Sequence, residues 1–558
     1  MCVLCQSFQP WADDCVYSEL GAGQSADGTT GGDGESADLP TFTYDEIATF
    51  LTTGYWGGGS TRSFDVTAGD TLYVDITNLA TNGQDMARAA LEAWSLVTGL
   101  SFVEIDSTTP PNNTTSEGAD AAPDTSTSYS MLVGDDFLGT LSTGSDRDAV
   151  AITLTAGQTI HIALTGEGAS GTEDPYLWVL NGSGNVVAEN DDAAGRNSAL
   201  SYQATYTGVH YIRAGSFADS YAGDYRISVR ETALTADIVF GDDDSGAYAT
   251  SSMFGNTIQS SFVNINENWG GGANRIDGYF YQTYVHEIGH ALGLGHAGNY
   301  NGNATYGVDN HYDNDSWQAT VMSYFHQTEN TAVDADFGYV IGPQVADIIA
   351  IQSLYGTPTS ANAGDTTYGD NGNTGTFLDT AHSLSNPVSY TVYDTDGTDT
   401  FDFSSYSSHQ RLDLREEQFS DLAGYDGNVG IARGTVIEYG LTGMGNDTLV
   451  GNDAGNGLSA GFGTDQIDGG GGNDAIRGGS GNDDLNGEAG FDLIEGGTGD
   501  NLIEGGADGD LLIGDDVTLA MLTMLYPTWT PPANAQTLLD DGDYLTLWDD
   551  ILDDQGIA

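Results

Sequence analysis

The chain has 558 residues, 82 of them acidic and 12 basic, for a formal net charge of −70. Every basic residue is Arg and none is Lys, so partners rich in phosphate, nucleic acid or anionic lipid, are repelled while hard cations are drawn in. The length accommodates several domains with more than one core, and no apolar run of about 18 residues is present to span a membrane.

The first twenty residues, MCVLCQSFQPWADDCVYSEL, have neither a basic start nor a continuous apolar stretch, and do not read as a secretory signal peptide. They contain all three cysteines, Cys2, Cys5 and Cys15. A CxxC plus a lone Cys could give a disulfide and one free thiol, or inert thiols. Residues 25–40, SADGTTGGDGESADLP, are rich in Gly and Ser and poor in apolar side chains. This sets 1–40 apart as a leader and linker, with the compact chain starting near Thr41.

A second linker, STTPPNNTTSEGADAAPDTSTS at 107–128, runs into short alternating segments such as AVAITL, TIHIAL, YLWVL, VHYIRA and YRISV. Broken by Gly, Asp, Asn and Ser, they predict antiparallel strands and a small β-sandwich over 127–230. The order DRDAVAITLTAGQTIHIAL, DPYLWVLNGSGNVVAENDD and YTGVHYIRAGS resembles the pre-peptidase C-terminal domain. Insertion into a larger domain is tolerated at an exposed loop whose ends lie close together. Such a sandwich could bind substrate or a surface, or act as a spacer. Asp191 and Asp192 could bind calcium, although loop aspartates usually do not.

Residues 286–296 read HEIGHALGLGH, which fits HExxHxxGxxH. On a helix His286 and His290 share a face, so both rings can reach one zinc ion at about 2.1 Å. Glu287 then stands beside the metal, placed to take a proton from a zinc-bound water. Gly293 lets the chain leave the helix and bring back His296 as third ligand, with a fourth position open for water. Zinc lowers the pKa of that water from about 15.7 to about 7. HExxH alone also occurs where histidines merely decorate a helix; Gly293 and His296, with three of nine histidines in one window, favour ligation.

Downstream, 319–325 read ATVMSYF. An extended zinc motif followed by a Met-containing turn marks the metzincins, and HEIGHALGLGH with VMSYF resembles the serralysin family of secreted bacterial metalloproteases. The resemblance implies that Met322 forms the apolar floor under the histidines. It also implies that Tyr324 moves between the zinc and the oxyanion of the tetrahedral intermediate. VADIIAIQSLYG at 345–356 is similar to the helix that closes serralysin catalytic domains, and MARAALEAWSLVTGLSFVEI at 86–105 to their early helix and strand. A catalytic domain formed by 41–126 and 231–356 is therefore expected, and 1–40 becomes a candidate propeptide. One thiolate of Cys2, Cys5 or Cys15 could then fill the open zinc position and keep a zymogen latent.

Residues 357–440 resemble the serralysin connection. NAGDTTYG from Asn362 and YDTDGTDTFDFS from Tyr393 are similar to the family's paired calcium loops. The implied ligands are Asn362, Gly364 and Thr366 together with Asp394, Asp396, Gly397 and Asp399, joined by Val436 and Glu438. Asn362 replaces an expected Arg and Val436 a usual Thr; a carbonyl ligand survives a change of side chain.

From 442 to 513 the chain repeats every nine residues, with Asp or Asn at 447, 456, 465, 474, 483, 492, 501 and 510 and Leu or Ile two positions later. This is the calcium-binding nonapeptide GGxGxDxUx of a parallel β-roll, as in RTX proteins. Each turn is expected to offer carbonyls and a carboxylate to a cation, and each short strand to bury its aliphatic residue. The expected ligands are Gly443, Gly445, Asp447, Asn452, Ala454, Asn456, Gly461, Gly463, Asp465, Gly470, Gly472, Asp474, Gly479, Gly481, Asp483, Gly490 and Asp492. Asn456 and Asn501 replace aspartate, and Glu488 and Asp508 occupy glycine-type positions, so ions there are expected to bind more weakly. Without calcium the aspartate rows repel, which makes folding metal-dependent.

The last segment, 517–558, contains YLTLWDDILDD at helix-like spacing. Beside RTX repeats it resembles an uncleaved C-terminal signal for a type I secretion apparatus; a helix capping the roll is the competing reading. The sequence therefore predicts an α+β metzincin catalytic domain with an inserted antiparallel β-sandwich, followed by a connection at 357–440, a C-terminal parallel β-roll at 441–516 and the tail. The expected function is a secreted, extracellular, monomeric zinc endopeptidase acting on proteins or peptides, with one zinc and several calcium ions. Two alternatives stay open: a calcium-dependent RTX adhesin or surface protein in which proteolysis is secondary or absent, and a module that holds zinc without turnover.

Overall fold

The structure is a computed structural model that describes residues 39–57, 59–104, 113–166, 172, 174–191, 198–231, 236–514, 517–541 and 543–555. Cys2, Cys5, Cys15 and Asp192 lie outside the described residues. The chain divides into two compact units, Met1–Glu104 with Asp237–Ala558, and Ile105–Ala236.

The first unit begins with a five-stranded sheet ordered Ala247–Phe254, Thr257–Ile265, Ile238–Gly241, Thr71–Asn78 and Ser101–Glu104. All its pairings are parallel except the hairpin of the first two strands. Helix α1 (Tyr44–Thr49) starts on a capping box in which Thr43 and Glu46 satisfy each other's backbone N–H groups. Helix α2 (Thr81–Thr98) follows the apolar spacing of its sequence, burying Met86, Ala87, Ala90, Leu91, Trp94 and Val97 along one stripe. It ends at Gly99, whose left-handed φ of 67° turns the chain into the next strand. Helix α3 (Tyr279–Ala291) is buried on almost every side, and the Trp94 indole donates to the Val285 carbonyl at 2.9 Å, tying α2 to α3. Helix α4 (Val345–Tyr355) closes this part.

Beyond α4 the nine-residue pattern becomes geometry. Each repeat supplies a three-residue strand, and each strand pairs in parallel with the one 18 residues away, as in Thr448↔Gln466 and Gly457↔Ala475. Alternate strands thus build two facing sheets, of nine and seven strands. The middle residues Leu449, Leu458, Ile467, Ile476, Leu485 and Ile494 are buried between them. The last repeat departs from this: Leu512 is 46 % exposed, because no further coil covers it, and Ile513 turns into a cluster with Val517, Leu522, Trp529, Leu547 and Trp548. The tail helices Leu519–Leu525, Ala535–Asp541 and Tyr544–Gln555 form that cluster, and the Trp548 indole donates to the Phe491 carbonyl at 2.7 Å. The tail packs along the flank of the seven-stranded sheet, where Tyr439 donates to Asp543 and the Arg477 guanidinium lies over the Tyr544 ring.

The second unit is a sandwich of two five-stranded sheets around Phe137, Val150, Ile152, Ile162, Ile212 and Tyr225. Its pairings are antiparallel apart from two short edge strands, Thr114–Ser116 and Ser130–Met131. Thr114–Ser116 falls in a segment whose composition reads as linker. It has no apolar face to betray it and is held by backbone pairing with Asp136–Leu138.

Candidate active site

Helix α3 carries His286, Glu287 and His290, and the chain leaves it at Gly293, whose φ is 110°. A side chain there would meet the Arg62 carbonyl 2.1 Å from its Cβ, so the turn that returns His296 to the helix accepts only glycine. The three rings gather with centroids 4.7 Å (His286–His290), 4.5 Å (His290–His296) and 5.4 Å (His286–His296) apart. One ring nitrogen of each lies within 4.8 Å of the others.

The tautomers follow from the partners. Nδ1 of His286, His290 and His296 lies 2.8, 2.8 and 2.9 Å from the carbonyls of Val321, Leu294 and Tyr300. A carbonyl only accepts, so each Nδ1 carries the proton and each Nε2 presents a lone pair. Nε2 of His290 and Nε2 of His296 are 2.9 Å apart, an arrangement two lone pairs repel and a cation relieves. Burial pushes His286 down to about 3 and His290 to about 4, and burial with the neighbouring imidazoles pulls His296 well below its ordinary value. The rings are neutral, the form that ligates metal. The donor set therefore fits zinc, with carbonyl partners of the kind that orient metal-bound imidazoles.

Met322 is fully buried under this cluster: a Cβ on Gly289 would fall 2.7 Å from the Met322 sulfur. Tyr324 faces the His296 ring edge-on with centroids 4.6 Å apart, and its hydroxyl accepts the Gly302 N–H at 3.4 Å. Glu287, His286 and Tyr324 line a cleft of about 280 Å³ walled by Trp269, Tyr279, Gln282, Thr283, Trp317 and Val321. The only ionisable residues on this lining besides the tyrosines are His286 and Glu287, so the wall suits an uncharged or apolar side chain.

Two buried carboxyls that sequence reasoning did not single out hold the centre together. Asp315 accepts from the Ser323 hydroxyl at 2.6 Å and from the Tyr300 hydroxyl at 3.1 Å, and Tyr300 is the residue whose carbonyl orients His296. Asp347 of α4 accepts from the Thr320 hydroxyl and the backbone of Val321 and Gln344. Burial raises Asp315 to about 7 and Asp347 to about 6, against those hydrogen bonds.

The connection loops also meet. The Thr366 hydroxyl donates to the carbonyls of Asn362 and Gly364, and its N–H to Asp399 at 2.8 Å. Asp399 N–H reaches Glu438 at 2.7 Å, Asp396 N–H reaches Asp394 at 3.2 Å, and Gly397 packs on the Gly364 carbonyl. Burial, with Asp394 and Glu438 close by, raises Asp399 to about 7. The Val436 side chain is exposed, leaving its carbonyl as the group available to a metal.

In the repeats Oδ1 of Asp465, Asp474, Asp483, Asp492 and Asp510 accepts the N–H of the residue 18 positions earlier, at 2.8 to 3.2 Å. Oδ2 of Asp447, Asp465, Asp474, Asp483 and Asp492 is buried without a hydrogen-bond partner. Asn456 sits in the same row, with its N–H on Asp474. The turn positions Gly443, Gly445, Asn452, Ala454, Gly461, Gly463, Gly470, Gly472, Gly479, Gly481 and Gly490 stack so closely that a Cβ at 481 would lie 1.4 Å from the Gly463 carbonyl oxygen. Glu488 and Asp508, at glycine-type positions, adopt the left-handed φ of 72° and 74° that glycine would take.

Comparison with known proteins agrees with this reading over part of the chain. Residues 358–503 match the Peptidase M10 serralysin C-terminal family, and residues 146–231 match the bacterial pre-peptidase C-terminal domain. The chain is thus similar to serralysins over this C-terminal part, and to pre-peptidase C-terminal domains over a segment that precedes it. Serralysin of Photorhabdus luminescens is 46% identical over 187 residues, 33% of this chain and 38% of that protein. Serralysin C of Dickeya chrysanthemi is 47% identical over 175 residues, 31% and 36% of the two chains. The chain therefore spans well under half the length of these relatives. A crystal structure of the pre-peptidase C-terminal domain of a Bacillus anthracis collagenase aligns at 18% identity with 18% of this chain and 93% of its own, with a TM-score of 0.16. No helix among the described residues is long and apolar enough to cross a membrane.

Proposed function

We propose that this chain is a zinc-dependent endopeptidase, with a metzincin catalytic domain formed by 41–104 and 237–356, interrupted by the sandwich unit at 105–236 and followed by a calcium-stabilised parallel β-roll at 441–516. The observation that carries the reading is the convergence of three imidazole lone pairs, one of them on His286, which lines a cleft together with Glu287 and Tyr324. Zinc held by His286, His290 and His296 would supply Lewis acidity toward the scissile carbonyl and toward water.

The chain's own residues do the rest. Glu287 takes the proton from the attacking water as its oxygen adds to the carbonyl carbon, and later delivers it to the leaving amine. The Tyr324 hydroxyl donates to the oxyanion that forms. Trp269, Tyr279 and Trp317 enclose the substrate side chain beside the scissile bond and keep bulk water from it.

Calcium is assigned to the rows of unpartnered aspartate oxygens in the repeats and to the Asn362–Thr366, Asp394–Asp399 and Glu438 loops. The tail 517–558 is read as the signal for a type I secretion apparatus. Low cytosolic calcium leaves the roll unfolded for passage, and about 10⁻³ M calcium outside drives folding. The enzyme then acts as an extracellular monomer on proteins or peptides.

Casein hydrolysis by the calcium-folded protein, with and without a zinc chelator, tests the proposal. Chelator-sensitive cleavage that Glu287→Ala abolishes supports it. Zinc-bound protein that cleaves nothing points instead to a calcium-dependent adhesin or a zinc-holding module.

A further inference from the structure

We infer that the nine-stranded C-terminal sheet, and not helix α3 alone, sets which side chains the cleft accepts, with Gln318 and Gly427 as the positioning residues that carry its influence to Trp317. The inference deepens the endopeptidase reading and rests on it. The sheet does not stop at the repeats. From Thr448–Val450 it continues through Arg411–Asp413, Phe419–Leu422, Tyr425–Ile431 and Val388–Val392 to an edge strand, Tyr339–Val340. The Val340 N–H donates to Oε1 of Gln282 at 3.0 Å, and Gln282 is a buried residue of α3 that lines the cleft one turn before His286. One sheet thus carries repeat coils at one end and touches the cleft lining at the other.

A second contact comes from the hairpin of this sheet. Ala423 and Gly424 turn it with φ of 57° and 86°, as a two-residue type I′ connection requires. Beyond the turn, the Gly427 carbonyl accepts Nε2 of Gln318 at 3.0 Å. The Asp426 carbonyl accepts the Asp336 N–H at 3.0 Å, and Oδ2 of Asp336 accepts the Asp426 N–H at 3.3 Å. A Cβ on Gly427, whose φ is 58°, would lie 2.5 Å from Nε2 of Gln318 and 2.8 Å from the Asp334 carbonyl oxygen, so the approach is one for glycine. Burial, with Asp421, Asp336 and Asp334 nearby, raises the Asp426 carboxyl. Like charges crowd the contact, and the neutral donor of Gln318 helps to hold it closed.

These contacts flank Trp317. Gln318 is the next residue, and Asp336 precedes Phe337, whose ring lies 6.1 Å from that of Trp317. Trp317 is 8 % exposed and lines the cleft. Its indole N–H donates to the Ser323 carbonyl at 2.9 Å, and its ring lies 26° from the Tyr279 plane with centroids 6.2 Å apart. With its one polar atom engaged, Trp317 offers a bound side chain shape alone. A wall of this kind discriminates by contact, and a hydrophobic pocket separates side chains one methylene apart by about 10- to 200-fold. Displacing Trp317 forfeits that discrimination for large apolar side chains while Glu287, on α3, keeps its place.

Steady-state cleavage of peptides that differ only in the residues flanking the scissile bond, Phe or Leu against Ala, tests this on the full calcium-folded chain. Gln318→Glu keeps the size of the side chain, replaces its donor with an acceptor and adds a charge to the aspartates there. Gly427→Ala forces the hairpin off the loop. Each should raise KM for the Phe and Leu peptides about tenfold, with kcat, KM for the Ala peptide and zinc content changed less than about twofold. Gln318→Glu decides the matter if Gly427→Ala fails to fold. Unchanged KM for the Phe and Leu peptides in Gln318→Glu, or an equal loss on every peptide, would overturn the inference and leave the endopeptidase reading intact. Unmodified protein that cleaves none of the peptides would overturn both.

Discussion

The Asp347 carboxylate accepts the backbone N–H of Val321 at 2.7 Å, and the carbonyl of the same Val321 takes the Nδ1–H of His286 at 2.8 Å. One peptide residue thus links α4 to the histidine cluster. Asp347→Asn should lower zinc affinity about 10- to 100-fold, as loss of groups behind metal ligands commonly does. Competition against a chromophoric chelator measures this, and an unchanged affinity would remove Asp347 from the centre. The pH dependence has a definite sign. Burial raises the Asp347 pKa from 3.8 to about 6, so the folded state holds the proton more tightly. Its contribution to stability is complete below about 4 and is lost as pH rises through about 6, a slope the Asn variant should lack.

Glu287 is buried beside the histidines but is not among the side chains whose ligand atoms converge there. Glu287→Ala should fold and retain zinc while losing at least about 10² to 10³ in kcat, roughly 3 to 4 kcal/mol. Metal content and casein turnover on the same sample check both halves. A variant that loses zinc and activity together would show a structural role instead.

Gly289 and Gly293 fail for different reasons when substituted. Gly289→Ala drives a methyl group to 2.7 Å from the Met322 sulfur, an overpacking that costs about 1 to 3 kcal/mol. Gly293→Ala meets both a φ of 110° and the Arg62 carbonyl, and should displace His296. Thermal unfolding with zinc titration distinguishes them: the first should retain metal binding at a lower Tm, the second should bind metal poorly. Equal behaviour would contradict the turn's role.

The calcium-stripped repeats should become less stable as pH rises. Burial lifts Asp465 and Asp492 to about 6 and Asp474 to about 8, so the folded coils take up protons that the unfolded chain has released. That stability is complete below about 4 and disappears between about 4 and 8. Calcium should reverse the trend, binding more tightly as the protons leave. Unfolding of the chelated protein across this range reads the slope; a flat profile would mean the aspartates are not buried as described.

Much of this was written openly in the chain. Strict spacing announces itself, as in HEIGHALGLGH, where a helix dictates which side chains share a face, and in the nine-residue repeat, whose register returned as strands paired 18 residues apart. What stayed hidden depends on contacts far apart in sequence. Asp315 and Asp347 look like two of 82 acidic residues until folding places them on the Tyr300 hydroxyl and the Val321 N–H, in the two residues whose carbonyls hold His296 and His286. Thr114–Ser116 has no periodicity to read, since backbone pairing alone makes it a strand.

The aspartate ladder has a direction. Each carboxylate steadies the coil two courses before its own, so Asp492 and Asp483 are braced by Asp510 and Asn501. The positions that would brace 501 and 510 in turn, 519 and 528, already belong to the tail. Such a column has a sound foot and a crown that depends on the tail packed against Leu493 and Ile513. It should ravel from its final coils downward, and a tether pulling on the last residue would peel it course by course, whereas one pulling on the first would meet the whole wall at once.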